Sequence, residues 1–317
     1  MPPLVSVVMP TYNSERFLKE SIESILNQIY RDFEFIIVAD SSVDGTDSIL
    51  DSYQQKDDRI KIYHHERIGL IGSLNKGCRL AKGKYIARMD ADDISLPNRL
   101  EKQVSYMETH PAIGILGTGL RYIDENGRRG KSIINPTNPK MIGLYLYFEN
   151  CIAHPSVMMR REVIEPLDFY NSAALHAEDY DLWARSSRIT QISNLPEILL
   201  YYRIWTGSIC QRNASMQNQA VIEIRQSLIS RLLSPEISVD AIVTPMDMAN
   251  SSFIEMIQRI ENVAGLMLKL YPAYLKANSL NLKEALEAAY ISARFFKSIA
   301  KEIIRIKLER SGYHRTI

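Results

Sequence analysis

The sequence predicts an α/β fold: a doubly wound, mostly parallel, Rossmann-like sheet followed by a C-terminal helical region. Short β-branched apolar runs alternate with amphipathic helical patterns over the first 90 residues, and polar clusters follow three of the predicted strands. From about residue 211 onward the pattern is largely helical. Alternating strand and helix units of this size form open sheets covered by helices. We therefore predict three parts, residues 1–110, 111–210 and 211–317.

The first part contains the alternating units. Val5–Met9 is an apolar run of the kind found in buried parallel strands, and similar runs recur at 33–38, 60–63 and 85–89. Ser14 and Glu15 are expected to open the first helix. The next helices are predicted at about 47–55, 69–80 and from Pro97 to 110. Apolar residues recur at helical spacing in the first of these helices: Phe17, Leu18, Ile22, Ile25, Leu26 and Ile29.

The pattern changes after residue 110. The runs 113–116 and 120–123, followed by the turn 125–127, are typical of two antiparallel strands. Residues 151–159 and 198–202 add two more predicted strands. The helical pattern that follows is expected to break near Pro235, Pro245 and Pro272.

Composition narrows the class of protein. The 317 residues are 46% hydrophobic with a net charge of +1, so no global field favours nucleic acid. The three cysteines, Cys78, Cys151 and Cys210, lack metal-site spacing and are expected to be buried thiols in a reducing compartment. No apolar run reaches the roughly 18 residues of a membrane span. The N-terminus lacks a basic and apolar signal pattern, so a cytoplasmic location is expected.

The most informative stretch is the acidic run from Asp90 to Asp93, which follows the apolar run Tyr85-Ile86-Ala87 after two intervening residues. Carboxylates at the end of a buried strand are costly unless a positive group accompanies them. Hard oxygen ligands suit Mg²⁺ or Mn²⁺, so a divalent cation bound to phosphate oxygens is the favoured interpretation. The alternative is an acidic loop with a helix-capping aspartate.

Two further polar clusters accompany this run. Thr11-Tyr12-Asn13 follows the first predicted strand and Asp40 follows the second. Ligands of open α/β sheets bind at the carboxyl ends of the strands, so the three clusters are expected to converge. A nucleotide fits them, with one carboxylate for base or ribose donors and one for a diphosphate-bound metal. Gly117-Thr118-Gly119 and Gly83-Lys84 do not complete a Rossmann fingerprint or a P-loop.

Together, four segments resemble the family-2 glycosyltransferases of the GT-A fold. They are VSVVMPTYN from Val5, DSSVDGT from Asp40, LNKGCRLAKGKYIARMDADD ending at Asp93, and HAEDYDLWAR from His176. The resemblance covers roughly residues 4 to 208, in the family's order. It implies an inverting transfer from a nucleotide-diphospho-sugar, most often UDP-linked, with Mn²⁺ or Mg²⁺. The first part would then bind the donor and the second the acceptor.

The resemblance also implies roles for individual residues. Asp92 would bind the metal, Asp40 would accept from the uracil ring N–H, and Asp179 would be the general base with Glu178 beside it. The implied donor-nucleotide contacts are Pro10, Thr11, Tyr12, Asn13, Asp40, Asp90, Ala91 and Arg203. Weaker contacts with the acceptor or sugar are expected for His154, Asp93 and Trp205.

The reaction itself calls for these residue types. An acceptor hydroxyl must lose its proton as it attacks the anomeric carbon, and a positioned aspartate can take it. The leaving diphosphate gains charge, which a cation stabilises. For Glu178-Asp179 the alternative is a capping pair ahead of a helix 180–188.

The sequence departs from the family pattern at three positions near these motifs. Trp205 stands two residues after Arg203, where many relatives carry a histidine, and tryptophan cannot ligate a metal. Either the protein supplies fewer ligands to the metal here, or Trp205 stacks on a sugar. Ala39 and Ser41 replace the commoner Asp and Gly beside Asp40, which bears on whether the base is uracil. Arg203 is expected to neutralise phosphate, or else to be a solvated arginine. For His154 a structural role is the alternative.

The last basic stretch, residues 283–310, combines Phe295, Phe296, Ile299, Ile303 and Ile306 with Arg and Lys residues. It could lie on an anionic membrane or pack on the catalytic domain with a solvated basic face.

The favoured function is transfer of a sugar to a saccharide or lipid-linked acceptor in surface polysaccharide biosynthesis. The alternatives are a sugar-nucleotide-forming nucleotidyltransferase and a non-catalytic nucleotide-sugar-binding module. Nucleotidyltransferases usually carry a Gly-rich, Arg/Lys-containing loop after the first strand, which Pro10–Asn13 does not provide.

Overall fold

The computed structural model describes residues 2–206, 214–233 and 253–310. The chain divides into two compact units. One comprises residues 1–142 and 150–214, and the other comprises residues 143–149 and 215–317. The boundary predicted near residue 110 stays a prediction.

The first unit is built on a sheet of nine strands, counted over the described residues, and its first four strands are parallel. They are β1 (Val5–Thr11), β2 (Phe33–Asp40), β3 (Ile60–His65) and β4 (Tyr85–Arg88), in the spatial order β3-β2-β1-β4. All seven residues of β1 are buried, which explains its continuous apolar run. The predicted parallel sheet is confirmed. Strand β2 extends through Asp40, so this carboxylate ends a strand rather than starting a loop.

The helices between these strands also match the expected order. They are α1 (Leu18–Leu26), α2 (Thr46–Gln54), α3 (Gly69–Leu80) and α4 (Arg99–Thr109). The predicted beginning of α1 at Ser14 is wrong, because Ser14–Phe17 form a turn in which the Ser14 carbonyl accepts from the N–H of Phe17 and Leu18. Ile29 was also wrongly assigned to its apolar face, since it lies beyond the helix end and is exposed.

The second half of this unit completes the sheet. Its elements are β5 (Ile94–Ser95), β6 (Ile113–Ile123), β7 (Arg129–Ile133), α5 (Pro139–Tyr145), β8 (Met158–Arg160), α6 (Arg161–Ile164), α7 (Glu178–Ser186) and β9 (Gln191–Arg203). Strand β8 joins the two halves by pairing antiparallel with both β4 and β6. The two short antiparallel strands predicted over 113–123 form one long strand, which pairs in parallel with β9. The strand predicted over 151–159 is confined to β8, and a 3₁₀ turn at 154–156 precedes it.

A single hydrophobic cluster joins the strands to the helices. It packs the strand residues Val5, Phe35 and Tyr85 together with Ile22 of α1 and Leu100 of α4, all of which have no exposed surface. This packing fixes the carboxyl ends of β1, β2 and β4 relative to one another. The polar residues that follow these strands are positioned by the same core.

The second unit is helical. It contains α8 (Ala214–Leu232), α9 (Phe253–Asn278) and α10 (Leu282–Arg310). The break predicted at Pro272 is wrong, because α9 continues through it and the chain turns at Ser279, which has a φ of 47°. Pro235, Pro245 and Cys210 lie outside the described residues. Cys78 and Cys151 are buried, as predicted. Over the described residues, no helix has the length and apolarity needed to cross a bilayer.

Candidate functional site

The acidic run that follows β4 forms a compact group of carboxylates. One carboxylate oxygen from each of Asp90, Asp92 and Asp93 lies within 4.8 Å of the others. Burial and the neighbouring charge of Asp90 raise the pKa of Asp92 to about 6, and the same two causes raise the pKa of Asp93 well above its usual value. Mutual repulsion between desolvated carboxylates is unfavourable without a cation. The group therefore has the composition of a divalent-metal site.

Whether a metal fits the acidic cluster can be judged from the hydrogen bonds that its carboxylate oxygens lack. The Oδ1 of Asp93 accepts the backbone N–H of Arg203 at 2.8 Å, but its Oδ2 is buried with no hydrogen-bond partner. A buried oxygen without a partner is uncommon in a folded protein. Three clustered carboxylates, one of which has a buried oxygen without a partner, fit Mn²⁺ or Mg²⁺, which prefer hard oxygen ligands.

Arg203 is buried and hydrogen-bonded to the segment that carries this cluster. Its side chain is only 2% exposed; Nε donates to the backbone oxygen of Asp92 at 2.8 Å, and Nη2 donates to Glu20 at 2.5 Å. Its guanidinium also lies over the Phe17 ring, 4.2 Å from the centroid. The alternative of a solvated arginine is therefore wrong. In this conformation Arg203 orders the loop of the acidic cluster, and its contact with phosphate stays a prediction.

Trp205 contacts the carboxylate that was predicted to bind the metal. Its indole Nε1 donates to the Oδ2 of Asp92 at 2.8 Å, and its ring packs edge-on against Phe17 with centroids 5.4 Å apart. Trp205 therefore occupies one face of the acidic cluster as a hydrogen-bond donor. Sequence reasoning considered a sugar contact for this residue but not a bond to Asp92.

Arg88 is the main functional candidate that sequence reasoning missed. It ends strand β4, is 3% exposed and forms an ion pair with Asp90. Its positive charge also opposes the rise in the pKa of Asp92 and of Glu178, so it acts on both groups of carboxylates. An arginine at the end of an otherwise apolar buried strand was the available signal, because a buried cation needs carboxylate partners.

The loops after β1 and β2 are tied to each other. The backbone N–H of Asn13 donates to Ser42 Oγ at 3.0 Å, and the Asn13 side chain accepts from the N–H of Val43 at 2.9 Å. Asn13 has a φ of 48°, a left-handed conformation that asparagine tolerates better than most residues. Pro10 and Thr11 are the buried last residues of β1. The predicted convergence of these two clusters is confirmed.

Asp40 is engaged in the protein's own hydrogen bonds. Its Oδ1 accepts from the N–H of Ile68 at 2.6 Å, and its Oδ2 accepts from the N–H of Gly69 at 3.0 Å, so it satisfies donors at the start of α3. A carboxylate has further lone pairs for a ligand donor. Beside it, Tyr12 is 38% exposed, and the guanidinium of Arg67 lies 3.7 Å from its ring centroid. The exposed ring is a surface on which a base can stack.

Glu178 and Asp179 form the first turn of α7 rather than preceding it. Glu178 is 7% exposed, its Oε2 has no hydrogen-bond partner, and burial together with the charge of Asp179 raises its pKa to about 7. Asp179 is half-buried and accepts the N–H of Tyr180 at 2.7 Å through Oδ1. Burial raises the pKa of Asp179 too, against the lowering effect of that hydrogen bond. Raised carboxyl pKa values are typical of groups that exchange protons.

His154 is placed differently from its predicted role. It is 8% exposed in the 3₁₀ turn before β8, and its Nε2 lies 2.8 Å from the hydroxyl of Tyr170. Burial and the charge of Arg88 lower the pKa of His154 well below its usual value. The histidine is therefore packed in the interior, where burial disfavours its charged form, which is the structural alternative considered for it.

The chain matches the family model described as glycosyl transferase family 2 over residues 6–167. It is 44% identical over 211 residues to an uncharacterized glycosyltransferase of Methanocaldococcus jannaschii, a match that spans 64% of this chain and 71% of the relative. It is 38% identical over 239 residues to the O-antigen biosynthesis glycosyltransferase WbnJ of Escherichia coli, spanning 73% of this chain and 91% of the relative.

Two solved structures share the fold. Residues 1–349 of Staphylococcus aureus TarS, in complex with UDP-GlcNAc, match with a TM-score of 0.64 at 19% identity, over 99% of this chain and 93% of that one. The mannosyltransferase PcManGT of Pyrobaculum calidifontis, in complex with GDP-Man and Mn²⁺, matches with a TM-score of 0.55 at 16% identity. That match covers 98% of this chain and 87% of the mannosyltransferase. The predicted fold class is confirmed.

Proposed function

The chain belongs to glycosyl transferase family 2 and is a glycosyltransferase, and we propose that it is an inverting, metal-dependent hexosyltransferase acting on a nucleotide-diphospho-sugar. The observation that carries the proposal is the cluster of Asp90, Asp92 and Asp93 after β4 together with the pair Glu178 and Asp179, whose pKa values are raised by burial. Inverting transfer needs separate groups for the leaving diphosphate and for the attacking hydroxyl.

The donor would bind across the loops after β1, β2 and β4. Tyr12 offers an exposed ring for the base, and Asp40 lies beside it with both oxygens already oriented by α3. Asp92 and Asp93 would hold the cation, and Asp90 of the same cluster forms an ion pair with Arg88. A bound Mn²⁺ or Mg²⁺ would supply Lewis-acid stabilisation of the leaving diphosphate. The donor is proposed to be UDP-linked, with GDP-linked sugars as the alternative. TarS and PcManGT bind one of each.

The acceptor hydroxyl would lose its proton to Asp179. This carboxylate is half-buried and anchored at one oxygen by its own helix, so it keeps a fixed direction. The sugar would pass through an oxocarbenium-like transition state, as in glycoside hydrolysis. Glu178 would orient the acceptor or share the proton. The acceptor is proposed to be a saccharide or lipid-linked saccharide of a surface polysaccharide, which the name of the WbnJ relative supports.

A thermal-shift screen tests the proposal against its two rivals. The melting temperature should rise with UDP-sugars or GDP-sugars only when Mn²⁺ is present, because binding to the folded state stabilises it by mass action. A transferase should then consume donor when acceptor is added. Formation of a nucleotide-sugar from a nucleoside triphosphate and a sugar phosphate would favour the nucleotidyltransferase. Donor binding without turnover on any acceptor or water would favour the binding module.

We also propose peripheral contact of the second unit with an anionic membrane, through a face different from the one predicted. The ring of Phe295 is stacked on that of Phe148, 4.7 Å between centroids, so this residue packs inside its own unit. The outward face of α10 instead carries Leu282, Leu286 and Tyr290, which are 78%, 65% and 71% exposed at helical spacing. Exposed Lys283 and Lys297 accompany them. The side chains of Phe296, Ile299, Ile303 and Ile306 lie outside the described residues.

A further inference from the structure

Asn150 is joined to the proposed general base by a side-chain hydrogen bond. Its Nδ2 donates to the Oδ2 of Asp179 at 2.8 Å, across 29 residues of sequence. The other oxygen of Asp179 accepts the N–H of Tyr180 at 2.7 Å. Each oxygen of the carboxylate is therefore held by one donor, and each keeps lone-pair capacity for an incoming hydroxyl.

The orientation of the Asn150 amide is fixed by its second bond. Its Oδ1 accepts the backbone N–H of Ile152 at 3.1 Å, which forms a local turn. Because a backbone N–H can only donate, the amide oxygen must face Ile152 and the amide NH₂ must face Asp179. The side chain thus presents a donor, and not an acceptor, to the carboxylate.

We propose that Asn150 is a positioning residue that holds Asp179 in the direction and charge state required of a general base. This inference rests on the function proposed above for Asp179. A neutral donor is suited to the role because it stabilises a carboxylate without carrying a charge that would hold the accepted proton away. It also fixes the second oxygen, which the helix N–H leaves unrestrained.

Other charged and titratable groups act on Asp179 from neighbouring elements. Glu178 precedes it on α7, Tyr170 lies in the segment before that helix, and Arg88 ends β4. Burial raises the pKa of Asp179, whereas the bonds from Tyr180 and Asn150 and the charge of Arg88 lower it. Loss of the Asn150 donor should therefore raise the pKa, since a hydrogen bond to the charged form favours that form.

Two substitutions separate positioning from local structure. Asn150→Asp keeps an oxygen for the N–H of Ile152 but puts a second carboxylate oxygen where the donor was. Asn150→Ala removes both bonds.

In each variant, the acid limb of the pH profile of kcat/KM should move to higher pH, by at least half a pH unit and further for Asn150→Asp. At pH 7 transfer should fall about 10-fold, less than the 10²- to 10⁴-fold cost of losing a general base outright, because Asp179 is still present. Affinity for UDP with Mn²⁺, measured by calorimetry, should stay within twofold of wild type.

Asn171 provides a matched control. Its Oδ1 accepts the N–H of Ala173 at 3.0 Å, the same kind of turn as at Asn150, and the residue is exposed. Asn171→Asp and Asn171→Ala should leave the pH profile unchanged. Asn150 variants that behave like the Asn171 variants, or that fail to fold by circular dichroism, would overturn the inference and leave Asn150 a purely structural turn residue.

The variant Asp179→Asn distinguishes failure of this inference from failure of the proposed function. If Asp179→Asn abolishes transfer while Asn150→Asp shows the wild-type pH profile, the base assignment stands and the role of Asn150 is wrong. If Asp179→Asn retains transfer, the base assignment itself is wrong and the inference falls with it.

Discussion

The indole Nε1 of Trp205 donates a hydrogen bond of 2.8 Å to the Oδ2 of Asp92, joining residues 113 positions apart. The bond holds the indole of Trp205 against Asp92, the proposed metal ligand. The Phe17 ring packs edge-on against the same indole. The fluorescent indole of Trp205 and the proposed cation site therefore both contact the carboxylate of Asp92. This contact makes metal binding observable without turnover.

Mn²⁺ is expected to quench the fluorescence of Trp205, because a paramagnetic ion at Asp92 would lie next to the indole. Mg²⁺ should not quench it. Titration of the wild type with each ion, monitored by tryptophan emission, measures the effect. Trp205→Phe leaves Trp183, which is fully buried in α7, as the internal reference. Equal quenching in the wild type and in Trp205→Phe would show that the ion binds elsewhere.

Asp92→Ala should abolish Mn²⁺-dependent binding of the nucleoside diphosphate and leave the fold intact. The substitution removes an oxygen ligand and a repulsive charge from the cluster, so the free protein should be at least as stable as wild type. Calorimetry with UDP, with and without Mn²⁺, measures the binding. Asp51→Ala, at an exposed position on α2, is the control. Unchanged Mn²⁺-dependent affinity in Asp92→Ala would refute the assignment.

Asp179→Asn should lower kcat by on the order of 10²- to 10⁴-fold, the usual cost of a lost general base. Asparagine keeps the shape and can still bind the acceptor hydroxyl, but it cannot take the proton. Donor affinity should be unchanged, since the base acts only as the hydroxyl attacks. Glu178→Gln should have a milder effect. Transfer rates and UDP-sugar affinities of both variants test this, and retention of more than about a tenth of turnover by Asp179→Asn would exclude it as base.

The stability of the metal-free protein should fall with rising pH because of Glu178. Its pKa is raised from 4.5 to about 7, chiefly by burial, so the folded state keeps a proton that the unfolded chain loses. Between pH 4.5 and pH 7 the unfolded state is increasingly favoured, by about 3 kcal/mol in all, and above pH 7 the penalty is constant. Glu178→Gln should therefore gain stability relative to wild type over this window. Urea unfolding in EDTA at several pH values measures the difference, and parallel pH curves for the two proteins would contradict it.

Leu282→Gln combined with Leu286→Gln should release the protein from vesicles that contain phosphatidylglycerol. Both leucines are exposed on one face of α10, and interfacial binding scales with the apolar area that the lipid covers. Co-sedimentation with anionic and with phosphatidylcholine vesicles measures it. Val43→Gln combined with Ile189→Gln removes two exposed apolar side chains from the other unit as a control. Equal sedimentation of both variants would leave α10 without a role in binding.

Most of the parallel half of the sheet was predictable because its signals are local. A strand such as β1 is buried along its whole length, and its apolar run shows this directly. The same runs predicted Thr11 and Asp40 just after the strands, and in the structure each is the last residue of its strand. The long strand β6 was predicted as two pieces because Gly117 and Gly119 interrupt its β-branched pattern. In the structure, β6 pairs with β9 through both glycines and stays one strand.

The sequence by itself determined the fold class, the order of the parallel strands along the chain and the acidic cluster, since each depends on periodicity or spacing over a few residues. Tertiary structure decided which partner each functional side chain has. It turned Arg203 inward against Asp92 and Asp93, buried His154 against Tyr170, and brought Asn150 to Asp179. These contacts join loops that are distant in sequence, and their geometry is set by packing of the core beneath them. A residue's type gives its bonding capacity, whereas only the folded chain determines the group with which it bonds.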